Sequence, residues 1–461
     1  MEPVRGVVDR RWRRAHSRRD VLKLGAVVAL SGVVSPLIAA CAGPRDGASG
    51  ATGSSDAITV LVGSGADPNS EEALKNVYDD FATQNPGVEW DIRLLPGGGP
   101  EWDRRARAAI TSGEDVGLVM INGQQVRGWV RDGLLADLGG ADMSTVLGRV
   151  PEQYHLSGPG ESTVRALPLA ITGGVHTTGI YYNRALLDAA GLEPPRTFAD
   201  LRAAVEPLAA RGAAPLVHCS GDVVFNQMLI TWVLPMIAER AGDPVQFAES
   251  TVRGEIRYDS PEWIEAFETI AELTTSRVLL EGSAATDYAT MQQLLLQGRA
   301  AMTYNGSWLM PELLSGSPTV DFDLHVAPPP MVEGAERSRP ILAWTGIGLP
   351  AEAGASRERV HAFLEYASRP EVDMAVVEGI QQYSPIRESN VAIDDEVAQE
   401  FLPMFDDAIT PLDWLWEPEI TAELDSQVQG LVRGDTDPAT AAAAVVAVAD
   451  DLRASGRSYY P

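Results

Sequence analysis

The chain has 461 residues, and its 64 acidic side chains outnumber its 36 Lys and Arg to give a formal net charge of −28 at pH 7. A surface this acidic repels the phosphates of nucleic acids and of anionic lipids, so the composition excludes both as partners. The hydrophobic share of 45% is typical of ordinary globular packing.

The first 41 residues have the pattern of an export signal. Arg18 and Arg19 precede an uncharged stretch over 24–40, which ends in small residues before Cys41. The paired arginines resemble a twin-arginine signal. The sequence Ile-Ala-Ala-Cys at 38–41 resembles the bacterial lipobox, in which the cysteine is lipidated and becomes the mature N-terminus. A transmembrane anchor is the alternative, but a span needs about 20 apolar residues and this stretch is interrupted by glycine and proline.

The mature chain that this signal predicts begins at Cys41. Its 421 residues are too many for a single core and suit two large lobes. Residues 41–56 are rich in glycine and serine and predict a flexible tether. The net charge becomes −33, because residues 1–40 hold eight basic and three acidic side chains. After lipidation Cys219 is the one remaining thiol, so no internal disulfide is expected.

Strands and helices alternate along the mature chain. Apolar runs bounded by glycine or polar residues predict strands at 58–62, 88–94, 116–121 and 300–304, and a further strand ends at Asn183. Apolar residues at helical spacing predict helices at 70–84, 102–111, 184–190, 198–211, 263–275, 291–297, 360–368, 371–379 and 439–454. The alternation predicts an α/β fold. Trp129, Trp232 and Trp263 lie within apolar helical patterns and are expected in the core.

Five groups of segments occur in a fixed order along this chain. They cover residues 112–116 with 129–138, then 166–169 with 179–184 and 190–198, then 297–302 with 305–308, then 362–366, and finally 418–434 before an alanine-rich helix. In this order they resemble the extracellular solute-binding proteins of bacterial ABC importers, in the branch that includes maltose-binding protein. The resemblance covers about residues 58–455. It implies a two-lobed, periplasmic-binding-protein-like α/β fold of type II, with a ligand cleft between the lobes.

The same resemblance implies where the chain passes between lobes. The first lobe would consist of 57–170 and 346–383, and the second of 175–341 and 387–461. Crossings are expected near 168–177, 344–348 and 383–385. Each lies beside glycine or proline, which suits a hinge that must absorb backbone rotation.

Four aromatic residues are candidates for contact with a sugar, whose apolar faces pack on flat rings. Trp308 follows a predicted strand, and the resemblance implies that it stacks on sugar. Trp344 lies at a predicted crossing, and Tyr383 is a candidate for the rim. Trp414 and Trp416 flank one residue and would point in opposite directions, and Trp414 is the candidate for the cleft. A place in the core is the alternative for Trp308.

Seven polar residues are candidates for contact with sugar hydroxyl groups. Asn122 and Gln124 follow the end of the third predicted strand, where open α/β sheets bind ligands. Asp67 lies in the loop after the first strand, with a solvated turn residue as the alternative. The others are Asp222, Asn226, His176 and Ser307; a satisfied hinge histidine is the alternative for His176.

The resemblance implies a lipoprotein that captures a sugar and delivers it to membrane permeases, as a monomer on the extracellular face of the cytoplasmic membrane. N-acetylglucosamine or chitobiose, cello-oligosaccharides, malto-oligosaccharides, a polyol and a glycerol phosphate remain open as ligands. No catalytic residue, cofactor or metal is expected. A surface sensor lipoprotein is the alternative. An exported glycoside hydrolase is a less favoured alternative that counting does not exclude, because the 61 acidic residues of the mature chain guarantee chance carboxylate pairs. Other enzymes are disfavoured, because the chain lacks the Gly-x-Ser-x-Gly motif of serine hydrolases and its histidines lack metal-ligand spacing.

Overall fold

The computed structural model describes residues 57–63, 68–95, 99–139, 143–158, 161–354 and 356–460. The predicted export signal, Cys41, the tether and Asp67 lie outside the described residues. The strands are β1 (Ala57–Gly63), β2 (Glu89–Leu95), β3 (Val116–Asn122), β4 (Ala166–Pro168), β5 (Val175–Asn183), β6 (Ala214–Leu216), β7 (Ala300–Gly306), β8 (Leu324–Ala327) and β9 (Leu342–Gly348).

The helices are distributed along the whole described chain. They are α1 (Pro68–Gln84), α2 (Gly99–Thr111), α3 (Gly123–Arg131), α4 (Ser144–Arg149), α5 (Arg184–Ala190), α6 (Phe198–Ala203), α7 (Val205–Ala209), α8 (Gln227–Glu239), α9 (Pro244–Val252), α10 (Pro261–Thr275), α11 (Tyr288–Leu296), α12 (Met310–Ser315), α13 (Arg357–Ala367), α14 (Pro370–Ile380), α15 (Glu396–Phe401), α16 (Pro418–Arg433) and α17 (Pro438–Ala454). None of these helices is both long and apolar enough to cross a membrane.

Most predicted elements are found, with one clear correction. The single helix predicted over 198–211 is two helices, α6 and α7, which meet at Ala204. Pro207 explains the break, because proline has no amide hydrogen to donate to the carbonyl four residues earlier. Thr197 caps α6, since its side chain accepts a hydrogen bond from the Asp200 amide.

The strands form one sheet that continues through both lobes. Its order is β2-β1-β3-β9-β5-β7-β6, with β4 beside β9 and β8 beside β5. β1 pairs in parallel with β2 and β3, whereas β9 is antiparallel to β3, β4 and β5. The β9–β5 pairing is therefore the seam between the two halves of the sheet.

Three chain segments lie side by side at this seam, and they are those expected as crossings. Val175 of β5 pairs with Trp344 of β9. On its other side, the Val175 amide donates to the carbonyl of Tyr383 at 2.7 Å. Gly174 makes this approach possible, because its φ is +70° and a Cβ there would lie 2.0 Å from the Tyr383 carbonyl oxygen. The seam has the form of a hinge of several crossings.

Each half of the sheet has its own buried helices. Val60 and Leu61 of β1 are fully buried in the first hydrophobic core, together with Trp129 of α3. The second core holds Trp232 of α8 and Trp263 of α10, also fully buried. The core positions predicted for the three tryptophans are thus confirmed. The fold is a two-lobed α/β arrangement in which the strand ends near the seam face a shared cleft.

Candidate ligand-binding cleft

Trp308 lies on the second-lobe side of the seam, directly after β7. A Cβ at Gly306 would lie 2.1 Å from the Trp308 ring, so glycine lets the indole lie against the backbone. The His176 ring meets it edge-on at 5.7 Å, and its Nδ1 is 3.2 Å from the Ser307 hydroxyl. Burial lowers the pKa of His176 to about 4, so the imidazole is neutral at physiological pH. Trp308 itself is half-buried and keeps part of its surface open.

Two further aromatic rings extend this surface, and the sequence analysis missed both. Phe225 and Tyr288 stack with ring centres 4.7 Å apart and planes 16° apart, and both are half-buried. Asp222 orients the pair, because its carboxylate accepts a 2.6 Å hydrogen bond from the Tyr288 amide. The buried Tyr288 hydroxyl has no hydrogen-bond partner, and burial raises its pKa. His176, Trp308, Tyr288 and Phe225 form what we call the aromatic wall.

Trp344 and Trp414 form a second aromatic pair where the two lobes meet. Their rings are 5.0 Å apart and nearly perpendicular, and each side chain is largely buried. Trp414 lies so close to Gly123 of α3 that a Cβ at Gly123 would meet the indole at 2.3 Å. Trp416 points the other way into the second core, 5.9 Å from Trp263. The expected opposite orientation of the two tryptophans is present, and Trp414 is the one on the side of the first lobe.

Amide side chains join the lobes directly beside this pair. The Gln124 Nε2 of α3 donates to the Gln227 Oε1 of α8 at 3.2 Å. Asn122 precedes α3, and its buried Oδ1 has no hydrogen-bond partner. Amide groups both donate and accept, so this cluster suits the hydroxyl groups of an uncharged ligand.

Two buried carboxyl groups lie on the second-lobe side of the amide cluster. Asp425 of α16 accepts a 2.7 Å hydrogen bond from the Gln227 amide at the start of α8. Burial raises the pKa of Asp425 to about 8, and the nearby Asp413 carboxylate adds to the increase. Burial also raises the pKa of Asp413 to about 7, and the hydrogen bond that opposes this shift comes from its own backbone. The sequence analysis missed both acids, although Asp413 interrupts an apolar run at Leu412–Leu415.

The remaining candidates lie in less open places. Tyr383 is fully buried, and its hydroxyl donates to the Ala398 carbonyl at 2.7 Å. Asn226 is fully buried as well; its Nδ2 donates to the Ser220 carbonyl, while its Oδ1 has no partner. Asp67 is outside the described residues. Among the described residues, no group of three or more His, Cys, Asp or Glu side chains could hold a metal ion.

Comparison with known proteins agrees with this architecture. A chitin oligosaccharide binding protein superposes with a TM-score of 0.72 at 17% identity, over 87% of this chain and all of that one. The GacH receptor of Streptomyces glaucescens GLA.O, solved unliganded and with acarbose, gives a TM-score of 0.70 at 21% identity, over 86% of this chain and 97% of that one. These likenesses show the fold, which is the type II fold of sugar-binding proteins.

Sequence comparison identifies the family. A probable sugar-binding periplasmic protein of Brucella suis biovar 1 is 23% identical over 272 residues, which are 56% of this chain and 59% of that protein. The multiple sugar-binding protein of Streptococcus mutans serotype c is 21% identical over 66% of this chain and 69% of that protein. The chain thus aligns with little more than half the length of the Brucella relative. Residues 67–374 match the family of bacterial extracellular solute-binding proteins, and the chain belongs to that family.

Proposed function

We propose that this protein captures a neutral sugar or oligosaccharide in the cleft and delivers it to the permeases of an ABC importer. The observation that carries the proposal is that the aromatic wall and the cluster of amide and carboxyl groups lie beside the same seam, with Phe225 of the wall two residues before Gln227 of the cluster. A sugar presents apolar C–H faces and polar hydroxyl edges, and these two surfaces match the two halves of the cleft. The names of the family relatives, several of which are sugar-binding proteins, support the same ligand class.

The binding residues that we propose come from both lobes. Those of the second lobe and the seam are His176, Asp222, Phe225, Gln227, Tyr288, Ser307, Trp308, Asp413 and Trp414. Those on the side of the first lobe are Asn122, Gln124 and Trp344. Asp67, Asn226 and Tyr383 remain predictions. Neutral hydrogen bonds contribute about 1 kcal/mol each and those to charged groups about 1.5–3 kcal/mol. A few of them with one or two stacked rings reach the roughly −8.2 kcal/mol of micromolar binding.

Ligand binding would be coupled to movement of the lobes. The Gln124–Gln227 hydrogen bond joins α3 to α8. A sugar bound beside these amides would contact both lobes in the arrangement that brings Gln124 and Gln227 together. A ligand favours one lobe arrangement only by binding it more tightly than the other. The crossings at the seam would absorb the rotation, with lobe boundaries at 57–170 and 346–383 for the first lobe and 175–341 and 387–461 for the second.

We also propose that the protein is exported and anchored by lipid at Cys41. The support is the sequence pattern at 1–41 and the likeness to a relative named as periplasmic. Arg18→Lys together with Arg19→Lys should retain the precursor in the cytoplasm if the twin-arginine route is used. Cys41→Ser should release the protein from the membrane fraction. Unchanged fractionation of both variants would contradict the anchor and the route.

A thermal-shift screen tests the ligand class. Mono- and oligosaccharides of glucose, N-acetylglucosamine and xylose are offered to the purified protein, alongside their acidic and phosphorylated counterparts. A ligand at 100 times its Kd stabilises the folded state by about 2.7 kcal/mol. We expect at least one neutral sugar to raise Tm. A rise with acidic or phosphorylated sugars alone would contradict the proposal.

A further inference from the structure

A short segment that follows α17 connects the two lobes. We call residues 457–460 the strap. Its second-lobe attachment is Glu417, whose carboxylate accepts hydrogen bonds from the Ser458 hydroxyl at 2.7 Å and the Tyr459 amide at 3.1 Å. The Tyr460 hydroxyl donates to the Leu415 carbonyl at 2.7 Å. Glu417 is only 3% exposed, so the strap is attached to a buried side chain of the second lobe.

The other side of the strap contacts α3 of the first lobe. The Arg131 guanidinium lies over the Tyr459 ring at 4.3 Å. Arg127 donates from its Nη1 to the Tyr460 hydroxyl at 3.3 Å. The Tyr459 hydroxyl also lies over Gly128, 3.4 Å from where a Cβ would be. Both phenols stay protonated at physiological pH, because burial raises the pKa of each, that of Tyr460 to about 12.

These contacts fall on the face of α3 that also bears a cleft residue. Gln124, Arg127 and Arg131 are spaced by three and four residues, so they follow one another along one side of the helix. Gln124 reaches Gln227 of the second lobe, while the two arginines reach the strap. One helix face therefore contacts the second lobe at the cleft and again at the strap.

We propose that the strap positions α3 against the second lobe and thereby favours the lobe arrangement in which Gln124 and Gln227 meet. Tyr459 and Tyr460 act as positioning residues that need not touch the ligand. The bias on the lobes exists without a sugar; its consequence for affinity rests on the proposed function. A hydrogen bond of ordinary strength shifts the ratio of the two lobe arrangements about two- to tenfold. Loss of a strap contact should lower affinity for every ligand by the same factor.

The test is an inter-lobe distance measurement on the full chain without ligand. Spin labels are placed on Lys75→Cys of α1 and Glu268→Cys of α10, both exposed, in a Cys41→Ser background. Cys219 is fully buried and should not react. We expect Tyr460→Phe, which keeps the ring and removes the hydroxyl contacts, to increase the population of longer distances about two- to tenfold.

Matched variants separate positioning from simple loss of structure. Arg457→Gln lies in the strap, and the Arg457 side chain contacts Asp451, Ser455 and Glu419 on the second-lobe side, so this variant should leave the distances unchanged. Arg131→Gln should lengthen the inter-lobe distances. Arg131→Lys should lengthen them less, because it keeps a cation over the Tyr459 ring. Identical distance distributions in the wild type, Tyr460→Phe and Arg131→Gln would overturn the proposal. That outcome would leave the sugar proposal standing, since no ligand is used.

Discussion

The carboxyl group of Asp413 should make the protein less stable as pH rises. Its pKa is raised by burial from 3.8 to about 7. Between pH 3.8 and about pH 7, the Asp413 carboxyl therefore holds a proton in the folded protein that it has lost in the unfolded chain. Where the folded state binds more protons, the free energy of unfolding falls as pH rises. The stabilisation is complete below pH 3.8 and is lost by about pH 7.

The size of the effect follows from the shift. The difference between 3.8 and about 7 corresponds to up to about 4 kcal/mol, at about 1.4 kcal/mol per pKa unit. Roughly 3 kcal/mol of it falls between pH 5 and pH 8. Asp413→Asn cannot ionise, so its stability relative to the wild type should improve by about that amount over this interval. Removal of the Asp413 charge should also lower the pKa of Asp425, whose carboxyl it faces.

Urea unfolding of the wild type and Asp413→Asn at pH 5, 6.5 and 8 is the assay. Asp394→Asn, at an exposed carboxylate, is the control and should follow the wild type at every pH. A difference between Asp413→Asn and the wild type that is constant with pH would refute the reasoning. Such a result would mean that the carboxyl is ionised in the folded protein at pH 5.

Two further substitutions test the packing at the seam. Gly123→Ala places a methyl group against the Trp414 indole and should lower the free energy of unfolding in urea by about 1–3 kcal/mol. The control is Gly148→Ala in α4, which has open space around it and should not lower this free energy. Equal losses in the two variants would contradict the close contact at Gly123. Asp373→Ala removes a buried carboxyl group that accepts hydrogen bonds from the Ala170 amide and the Ser384 hydroxyl. This variant should lose at least about 1–3 kcal/mol of the free energy of unfolding, and an unchanged denaturation midpoint would contradict that role.

The elements that the sequence predicted are those with a visible period or a sharp boundary. β1 is a short apolar run ended by glycine, and α17 begins after a capping aspartate, Asp437. Trp232 indicated an apolar helical pattern, but the bounds of α8 were not predicted, because 11 of its 13 residues are buried and no polar face marks the helical repeat. Helices α6 and α7 were predicted as one helix, because Pro207 does not by itself mark a boundary. Proline can break a helix, but it is also tolerated in a first turn, and Pro207 lies in the first turn of α7.

The candidate site was less predictable than the fold. Trp308 could be found because it directly follows a recognisable strand. Phe225 and Tyr288 belong to separate elements, and only the folded chain stacks them. Asp413 carried a signal that could have been used, since a charged residue within an apolar run is costly to bury unless it is neutral or paired. The strap could not be predicted, because its partners on α3 lie more than 300 residues earlier.

Calorimetric titration of the sugar identified by the thermal-shift screen tests the central claim most directly. The wild type should bind with one site and Trp308→Ala should bind at least tenfold more weakly, because the half-buried indole provides the flat face for the sugar. Trp90→Ala removes another half-buried tryptophan, one that packs on Tyr78 and Phe363 in the first lobe, and should keep wild-type affinity. Wild-type affinity in Trp308→Ala, or no binding of any neutral sugar to the wild type, would contradict the account.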